Sequence, residues 1–163
     1  MGMESVLVSF TGFNGDIGQL SQHLGRLIPI FDNSAAAMTG SSTCWVLFDS
    51  KHKFEVEIIN KKSDFSLRFA LCNPRSISDV FISLIRQLMS ECQLIILVCE
   101  DSTIIPETPM SLTEFNLAVN DLLEHIEVRR KEWKQMFGEE EMPATCVEAF
   151  QKFILPLSVK YIA

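Results

Sequence analysis

Polar and apolar residues alternate along the middle of this chain in a pattern that predicts β-strands. Residues 53–60 (KFEVEIIN) and 65–71 (FSLRFAL) carry apolar side chains at nearly every second position. A period of two, interrupted by short polar turns, is typical of antiparallel strands with one covered face. Residues 5–10 (SVLVSF) and 44–48 (CWVLF) are two further strand candidates.

The predicted sheet has one polar face, and one of its strands has almost no polar residues. On the polar face we expect Arg68 to lie across from Glu55 or Glu57, as a cross-strand pair that contributes little to stability. Residues 93–99 (QLIILVC) are apolar almost throughout. Because a strand covered on both sides has this composition, we expect these residues to form a central strand.

A helix is predicted directly after the alternating segment. Asn73 and Pro74 break the strand, and residues 77–92 then repeat apolar side chains at i, i+3 and i+4 spacing. Ser76 and Asp79 form a shortened capping-box signal at the start of this helix. Its apolar stripe is expected to pack on the sheet.

A longer helix is predicted over residues 112–137. Ser111 and Glu114 give a second capping signal, and Gly138 is expected to end the helix. Acidic side chains dominate its first half and basic side chains follow, which complements the helix dipole. The acidic residues are Glu114, Asp121, Glu124 and Glu127, and the basic residues are Arg129, Arg130 and Lys131.

Three shorter segments give weaker signals. Asp16 can cap a helix that Pro29 ends. Residues 31–43 (FDNSAAAMTGSST) have the small and turn-forming residues of a loop. A last short helix is predicted over residues 145–154, ending at Pro156.

Together these elements predict a single α+β domain over residues 1–163. We expect a mainly antiparallel sheet of about five strands packed by helices, in the order β-α-β-β-β-α-β-α-α. Hydrophobic residues make up 47% of the chain and include 12 phenylalanines, which is enough for a packed core. Met1 and Gly2 could be left over from cloning, in front of a native Met3.

Charge and segment length narrow the classes of function. The formal net charge is −7, whereas a nucleic-acid-binding surface needs a basic face. No apolar run reaches the roughly 18 residues that span a bilayer, and the first residues lack the features of a secretory signal. We therefore expect a cytoplasmic protein that binds neither nucleic acid nor membrane and whose acidic surface suits a basic partner.

The residue types that often carry chemistry do not form a recognisable motif. Gly12, Gly15 and Gly18 match neither a dinucleotide fingerprint nor a phosphate loop, so we expect a turn and a capped helix there. The three histidines and five cysteines lack metal-ligand spacing, and the cysteines are expected to be buried and reduced. A Ser-His-Asp arrangement can be assembled from distant residues, but there is no nucleophile-elbow sequence. We expect no enzyme, cofactor or metal site.

One loop is a candidate surface for binding a protein partner. Glu100 and Asp101 follow directly on the apolar strand, and the loop continues with isoleucines, a glutamate and prolines. Charge runs are usually solvated, yet a stiff loop with both apolar and acidic residues suits protein recognition. We predict a contact surface made of this loop and the acidic side of the long helix. Its residues are Glu100, Asp101, Ile104, Ile105, Glu107, Glu114, Asp121 and Glu124.

The chain resembles immunity proteins of bacterial polymorphic-toxin and contact-dependent or type VI secretion systems. The resemblance is carried by FEVEIIN, FSLRFAL, NPRSISDVFISLIRQLMSEC and QLIILVCED, followed by the helix that ends in RRKEWKQMFG. It covers roughly residues 44–138 and is a likeness of pattern. It implies a small, non-catalytic cytosolic protein that neutralises a cognate toxin by covering its active site or an essential surface. No family residue can be carried over, because no motif is shared.

We therefore expect a binding protein, namely an immunity protein that neutralises a basic toxin domain through an acidic surface. Two other functions stay open. One is a secretion chaperone or adaptor, which would hold an extended partner segment, commonly as a dimer. The other is a small-molecule-binding or enzymatic domain that uses the open sheet face around Glu55, Glu57 and Arg68. The sequence does not decide between a monomer and a dimer.

Overall fold

The protein has an α+β fold with a fully antiparallel sheet in the strand order β2-β3-β4-β5-β1-β6. A computed structural model describes residues 5–27, 37–40, 44–60, 64–99 and 109–160. The strands are β1 (Ser5–Thr11), β2 (Ala37–Gly40), β3 (Cys44–Phe48), β4 (Lys53–Asn60), β5 (Asp64–Ala70) and β6 (Ile95–Cys99). The helices are α1 (Ile17–Leu27), α2 (Ile77–Glu91), α3 (Leu112–Phe137), α4 (Cys146–Ala149) and α5 (Leu155–Lys160), with a π-helical turn, Phe150–Ile154, before α5. The predicted fold class is confirmed.

The sheet has one more strand than expected, and it lies inside the segment that was predicted to be a loop. β2 pairs with β3, with Ala37 opposite Phe48. Small residues such as those of AMTG give no alternating signal. They can still pair, because an edge strand needs hydrogen bonds on one side only.

The prediction that residues 93–99 form a central strand is wrong. β6 lies at an edge of the sheet and pairs with β1, while an isolated bridge joins its Ile96 to Met110 on the other side. Ile96 is fully buried, whereas Ile95 is 37% exposed. An apolar run therefore does not show the position of a strand in the sheet order, nor that both of its faces are fully covered.

The main core lies between the sheet and α2. Strand register places Val8 and Val56 on either side of Leu67, on one face. On this face the ring of Phe81, from α2, stacks at 6.3 Å from Phe54 and meets Phe69 edge-on at 4.9 Å. The predicted packing of the α2 stripe on the sheet is therefore present.

The end of the chain departs from the prediction at Pro156. The last helix was expected to end there, but the helical path continues through a π-helical turn into α5. Proline lacks an N–H and clashes with the carbonyl of an ordinary preceding helical turn. The wider turn, in which the N–H of Leu155 donates to the carbonyl of Phe150, accommodates the proline without ending the helix.

The side chain of Asn73, in the turn after β5, joins three parts of the fold. It is fully buried. Its Oδ1 accepts from the N–H of Lys53 at 3.0 Å and from that of Ala144 at 3.3 Å. Its Nδ2 donates to the carbonyl oxygens of Ala70 at 2.9 Å and Ala144 at 2.8 Å. Asn73 therefore holds the start of β4 and the segment before α4 against the end of β5.

The same turn is bound by a buried cation from α3. Nη1 of Arg130 donates to the carbonyl oxygens of Leu71 at 3.0 Å and Asn73 at 2.7 Å. The guanidinium also lies over the ring of Phe69, 5.9 Å from its centroid. Burial lowers the pKa of Arg130, because it disfavours the charged form. This cost is offset by the carbonyl dipoles and the aromatic face, and α3 is thereby fixed to the end of β5.

We predict that Asn73→Ala lowers the free energy of unfolding by about 3 kcal/mol or more, since it removes four hydrogen bonds between the side chain and the backbone, three of them buried. Asn120→Ala is the matched control, because Asn120 is exposed on α3. It should change stability by at most about 0.5 kcal/mol. Urea unfolding followed by tryptophan fluorescence measures both values. Equal losses in the two variants would show that the Asn73 side chain does not hold the fold.

Candidate functional site

The structure describes three of the eight residues predicted to contact a partner. Glu114, Asp121 and Glu124 lie on α3 and are exposed. The predicted loop residues Glu100, Asp101, Ile104, Ile105 and Glu107 lie outside the described residues. The described part of the predicted contact surface therefore lies on α3.

The exposed side of α3 combines acidic and apolar side chains in one row, here named the α3 stripe. Its members are Glu114, Leu117, Asp121, Glu124 and Val128. Their spacing of three and four residues keeps them on one helix face. At 100° per residue, this face lies roughly 150° around the helix from the buried row that starts at Phe115. The α3 stripe therefore points away from the core.

Leu117 and Val128 are the members of the α3 stripe that the sequence analysis did not predict. The side chain of Leu117 is 81% exposed, and Val128, further along the stripe, is 47% exposed. Glu114 precedes Leu117 by three residues and Asp121 follows it by four, so both carboxylates lie on its side of the helix. The only sign of its exposure in the sequence was that Leu117 falls outside the apolar repeat that forms the buried row.

Glu114 also has a structural role within α3. Its Oε2 accepts from the N–H of Ser111 at 2.7 Å, while the Ser111 hydroxyl accepts from the N–H of Glu114 at 3.4 Å. This capping box confirms the predicted helix start. The hydrogen bonds from Ser111 lower the pKa of Glu114 below its usual range. Asp121 and Glu124 are therefore the better probes of partner binding.

The sheet face that was predicted to be open is covered at Glu55. Register places Glu55 opposite Arg68, as expected, and Glu57 opposite Ser66. The side chain of Glu55 is only 5% exposed and accepts from Nη2 of Arg68 at 3.2 Å. It also accepts from the N–H of Cys146 at 2.9 Å, so the start of α4 lies on this face. The prediction of an open face failed because nothing in residues 145–154 shows where that helix docks.

The cysteine thiols of this region are not activated. Burial and the carboxylate of Glu55 raise the pKa of Cys146 well above its usual range. Burial also raises the pKa of Cys72 to about 11. Both thiols therefore stay protonated at neutral pH, and a protonated thiol is a poor nucleophile.

His52 lies in an arrangement that the sequence did not reveal. It is buried, and its Nε2 lies 2.8 Å from Oγ of Ser76. Its Nδ1 lies 3.5 Å from Oδ2 of Asp49. Ser76 starts α2 as predicted, but its hydroxyl makes no capping hydrogen bond, so the predicted Ser76–Asp79 capping box is wrong. The Ser76 hydroxyl instead binds His52, which precedes it by 24 positions in the sequence.

A cleft of about 420 Å³ opens between the β1–α1 turn and the end of α2. It is lined by polar groups that include His23, Glu91 and Cys92. The predicted capped turn is confirmed, because Asp16 and Gln19 exchange two backbone-to-side-chain hydrogen bonds of 3.0 and 2.9 Å. Burial raises the pKa of Cys92, which disfavours its thiolate. The cleft is therefore polar and has no activated thiol.

The described residues show neither a metal site nor a membrane-spanning helix. Within the described ranges, no three histidine, cysteine, aspartate or glutamate side chains are placed to hold a metal ion. None of the helices described is long and apolar enough to cross a membrane. No protein-family model, curated protein or solved structure matches this chain. The resemblance to immunity proteins stays a prediction from the sequence.

We predict that the contribution of Glu114 to stability depends on pH. The pKa of Glu114 is lower in the folded state than in the unfolded state. The stability that Glu114 contributes is therefore fully present above the unfolded-state pKa of about 4.3, and it is lost as the pH falls through the folded-state pKa. Glu114→Ala should therefore destabilise the protein at pH 7 and much less at pH 3. Glu124→Ala, on the same helix face, is the control and should have little effect at either pH. Chemical denaturation measures the free energy of unfolding of each variant at both pH values. An equal loss of stability in Glu114→Ala at pH 7 and pH 3 would contradict the prediction.

Proposed function

We propose that this protein acts by binding another protein, and that the α3 stripe is its contact surface. The observation that carries the proposal is the 81% exposure of Leu117 on a face that also presents carboxylates. Single exposed apolar residues are common on protein surfaces. A leucine in line with Val128 and three acidic residues has, in addition, the arrangement of a small apolar anchor with a charged rim.

The partner that fits this surface is a basic protein domain with an apolar pocket for Leu117. Carboxylates around an apolar anchor speed the encounter with a cationic surface, while burial of the anchor slows dissociation. The net charge of −7 acts in the same direction at long range.

Rigidity of the surface also supports the proposal. On the side of α3 opposite the stripe, Phe115, Leu122 and Ile126 are buried. Arg130 fixes the helix to the turn after β5. A surface that is already ordered loses little conformational entropy on binding. The α3 stripe is thus suited to binding a folded partner.

We propose further that the bound partner is a toxin domain and that binding neutralises it, as the resemblance to immunity proteins implies. Such a function requires direct contact and no catalytic residue in this chain. It also requires the protein to be present where the toxin acts, for which the predicted location is the cytoplasm.

We predict that charge reversal on the α3 stripe weakens binding to a basic toxin domain. Asp121→Lys/Glu124→Lys should lower the association rate constant by about tenfold or more at low salt, with a smaller effect at high salt. Glu139→Lys/Glu140→Lys changes the net charge equally at exposed positions after the end of α3, and it should have a much smaller effect. The partner for this experiment is a basic toxin domain encoded next to the gene of this protein. Surface plasmon resonance at two salt concentrations gives the association rate constants.

The apolar anchor and the biological effect are tested with the same partner. Leu117→Ala should raise the dissociation rate constant by about tenfold, in line with the loss of an interface anchor. Cells that co-express the toxin should be protected by the wild type and by the Glu139→Lys/Glu140→Lys control, and less by the stripe variants. Unchanged binding and protection in all stripe variants would refute the proposed surface. A stable dimer holding an extended segment would instead indicate a chaperone.

A further inference from the structure

Three side chains from two distant parts of the chain form a row that ends at the protein surface. Oγ of Ser76 lies 2.8 Å from Nε2 of His52, and Nδ1 of His52 lies 3.5 Å from Oδ2 of Asp49. Ser76 is exposed, whereas the His52 side chain is 6% exposed and that of Asp49 is 12% exposed. A hydroxyl, an imidazole and a carboxylate in this order are the elements of an activated serine nucleophile.

The turn between β3 and β4 fixes the imidazole. Oδ1 of Asp49 accepts from the N–H groups of Lys51 at 2.6 Å and His52 at 2.7 Å, and the N–H of Asp49 donates to the carbonyl of His52 at 3.1 Å. The next residue, Lys53, is bound through its N–H to Oδ1 of Asn73. The turn is therefore attached to the segment that leads into α2, and Ser76 begins that helix.

The serine is placed differently from an ordinary helix cap. A serine at this position usually accepts from an N–H of the first turn, but the hydroxyl of Ser76 makes no such bond. In the tautomer with its proton on Nδ1, His52 accepts the Ser76 hydroxyl proton on Nε2. The positive end of the α2 dipole lies beside the same hydroxyl, where it stabilises a developing negative charge.

We propose that Ser76 is a nucleophile, activated by His52 and positioned through Asp49, that accepts acyl groups from small carboxylic esters. Oγ attacks the ester carbonyl while its proton moves to Nε2 of His52. The carbon–oxygen bond to the leaving group then breaks, and the alcohol departs with the proton from His52. Water then attacks the acyl-serine and gives a proton to His52. The bond between the acyl group and Oγ breaks, the carboxylic acid leaves, and the proton returns from His52 to Ser76.

Asp49 acts through His52 and does not contact the ester. Its Oδ2 holds the proton on Nδ1 and stabilises the imidazolium that forms during each proton transfer. The 3.5 Å separation is long for a hydrogen bond, and such contacts commonly shorten when the base becomes charged. This activity is independent of the α3 stripe, because no residue of the stripe takes part.

The decisive measurement is covalent labelling of the full chain by a fluorophosphonate probe, with mass spectrometry to locate the label. We expect one label per molecule, on Ser76. Ser76→Ala should lose the label, whereas Ser83→Ala, which removes another exposed serine of α2, should keep it. Hydrolysis of p-nitrophenyl acetate should likewise be lost in Ser76→Ala and kept in Ser83→Ala. In the wild type it should begin with a burst of about one equivalent of p-nitrophenol per chain. A label spread over other residues, or unchanged in Ser76→Ala, would overturn the proposal.

Two further variants separate a nucleophile from a purely structural contact. His52→Gln can still hydrogen-bond to Ser76 but cannot take its proton, so labelling should slow by about a hundredfold. Asp49→Asn removes the carboxylate that holds the proton on Nδ1 of His52, so labelling of this variant should slow as well. Circular dichroism confirms that each variant is folded. A folded His52→Gln variant that labels at the wild-type rate would contradict the proposal.

Discussion

The hydrogen-bonded turn of residues 71–73 is the constraint on which the rest of the structure depends. Asn73 uses both ends of its amide to bind backbone groups of β4, β5 and the segment before α4. Arg130 adds α3 to the same turn through two carbonyl oxygens. The side chains of Asn73 and Arg130 are both buried, so displacing either would leave buried polar groups without a partner. The turn therefore permits one relative arrangement of the sheet, α3 and α4.

This arrangement determines what each surface presents. Because Arg130 is fixed to the turn, α3 keeps its apolar row against the core, and Leu117 on the opposite side faces solvent. Because Asn73 binds the first residue of β4, the turn before that strand is held beside the start of α2. His52 and Ser76 meet there. A single short segment thus orients both the proposed contact surface and the proposed nucleophile.

The parts of the fold that the sequence predicted are those governed by local physics. Period-two alternation located β4 and β5, and the Ser111 capping box located the start of α3. Two of the failures have a different cause, since they depend on contacts between distant residues. The start of α2 looked like a capping box, but His52 binds the Ser76 hydroxyl instead. The sheet face at Glu55 looked open because nothing in the sequence shows that Cys146 docks on it.

The same distinction applies to the candidate sites. The acidic side of α3 could be read from charge and helical spacing, whereas Leu117 could not, since a leucine is apolar whether it is buried or exposed. The Ser76–His52–Asp49 row belongs to no sequence motif, because its geometry is produced by the turn of residues 71–73 and not by spacing along the chain. Function at the α3 stripe requires a partner but no reaction, while reactivity at Ser76 requires a small ester but no partner. The two surfaces share no residue, so the loss of either function by substitution should leave the other intact.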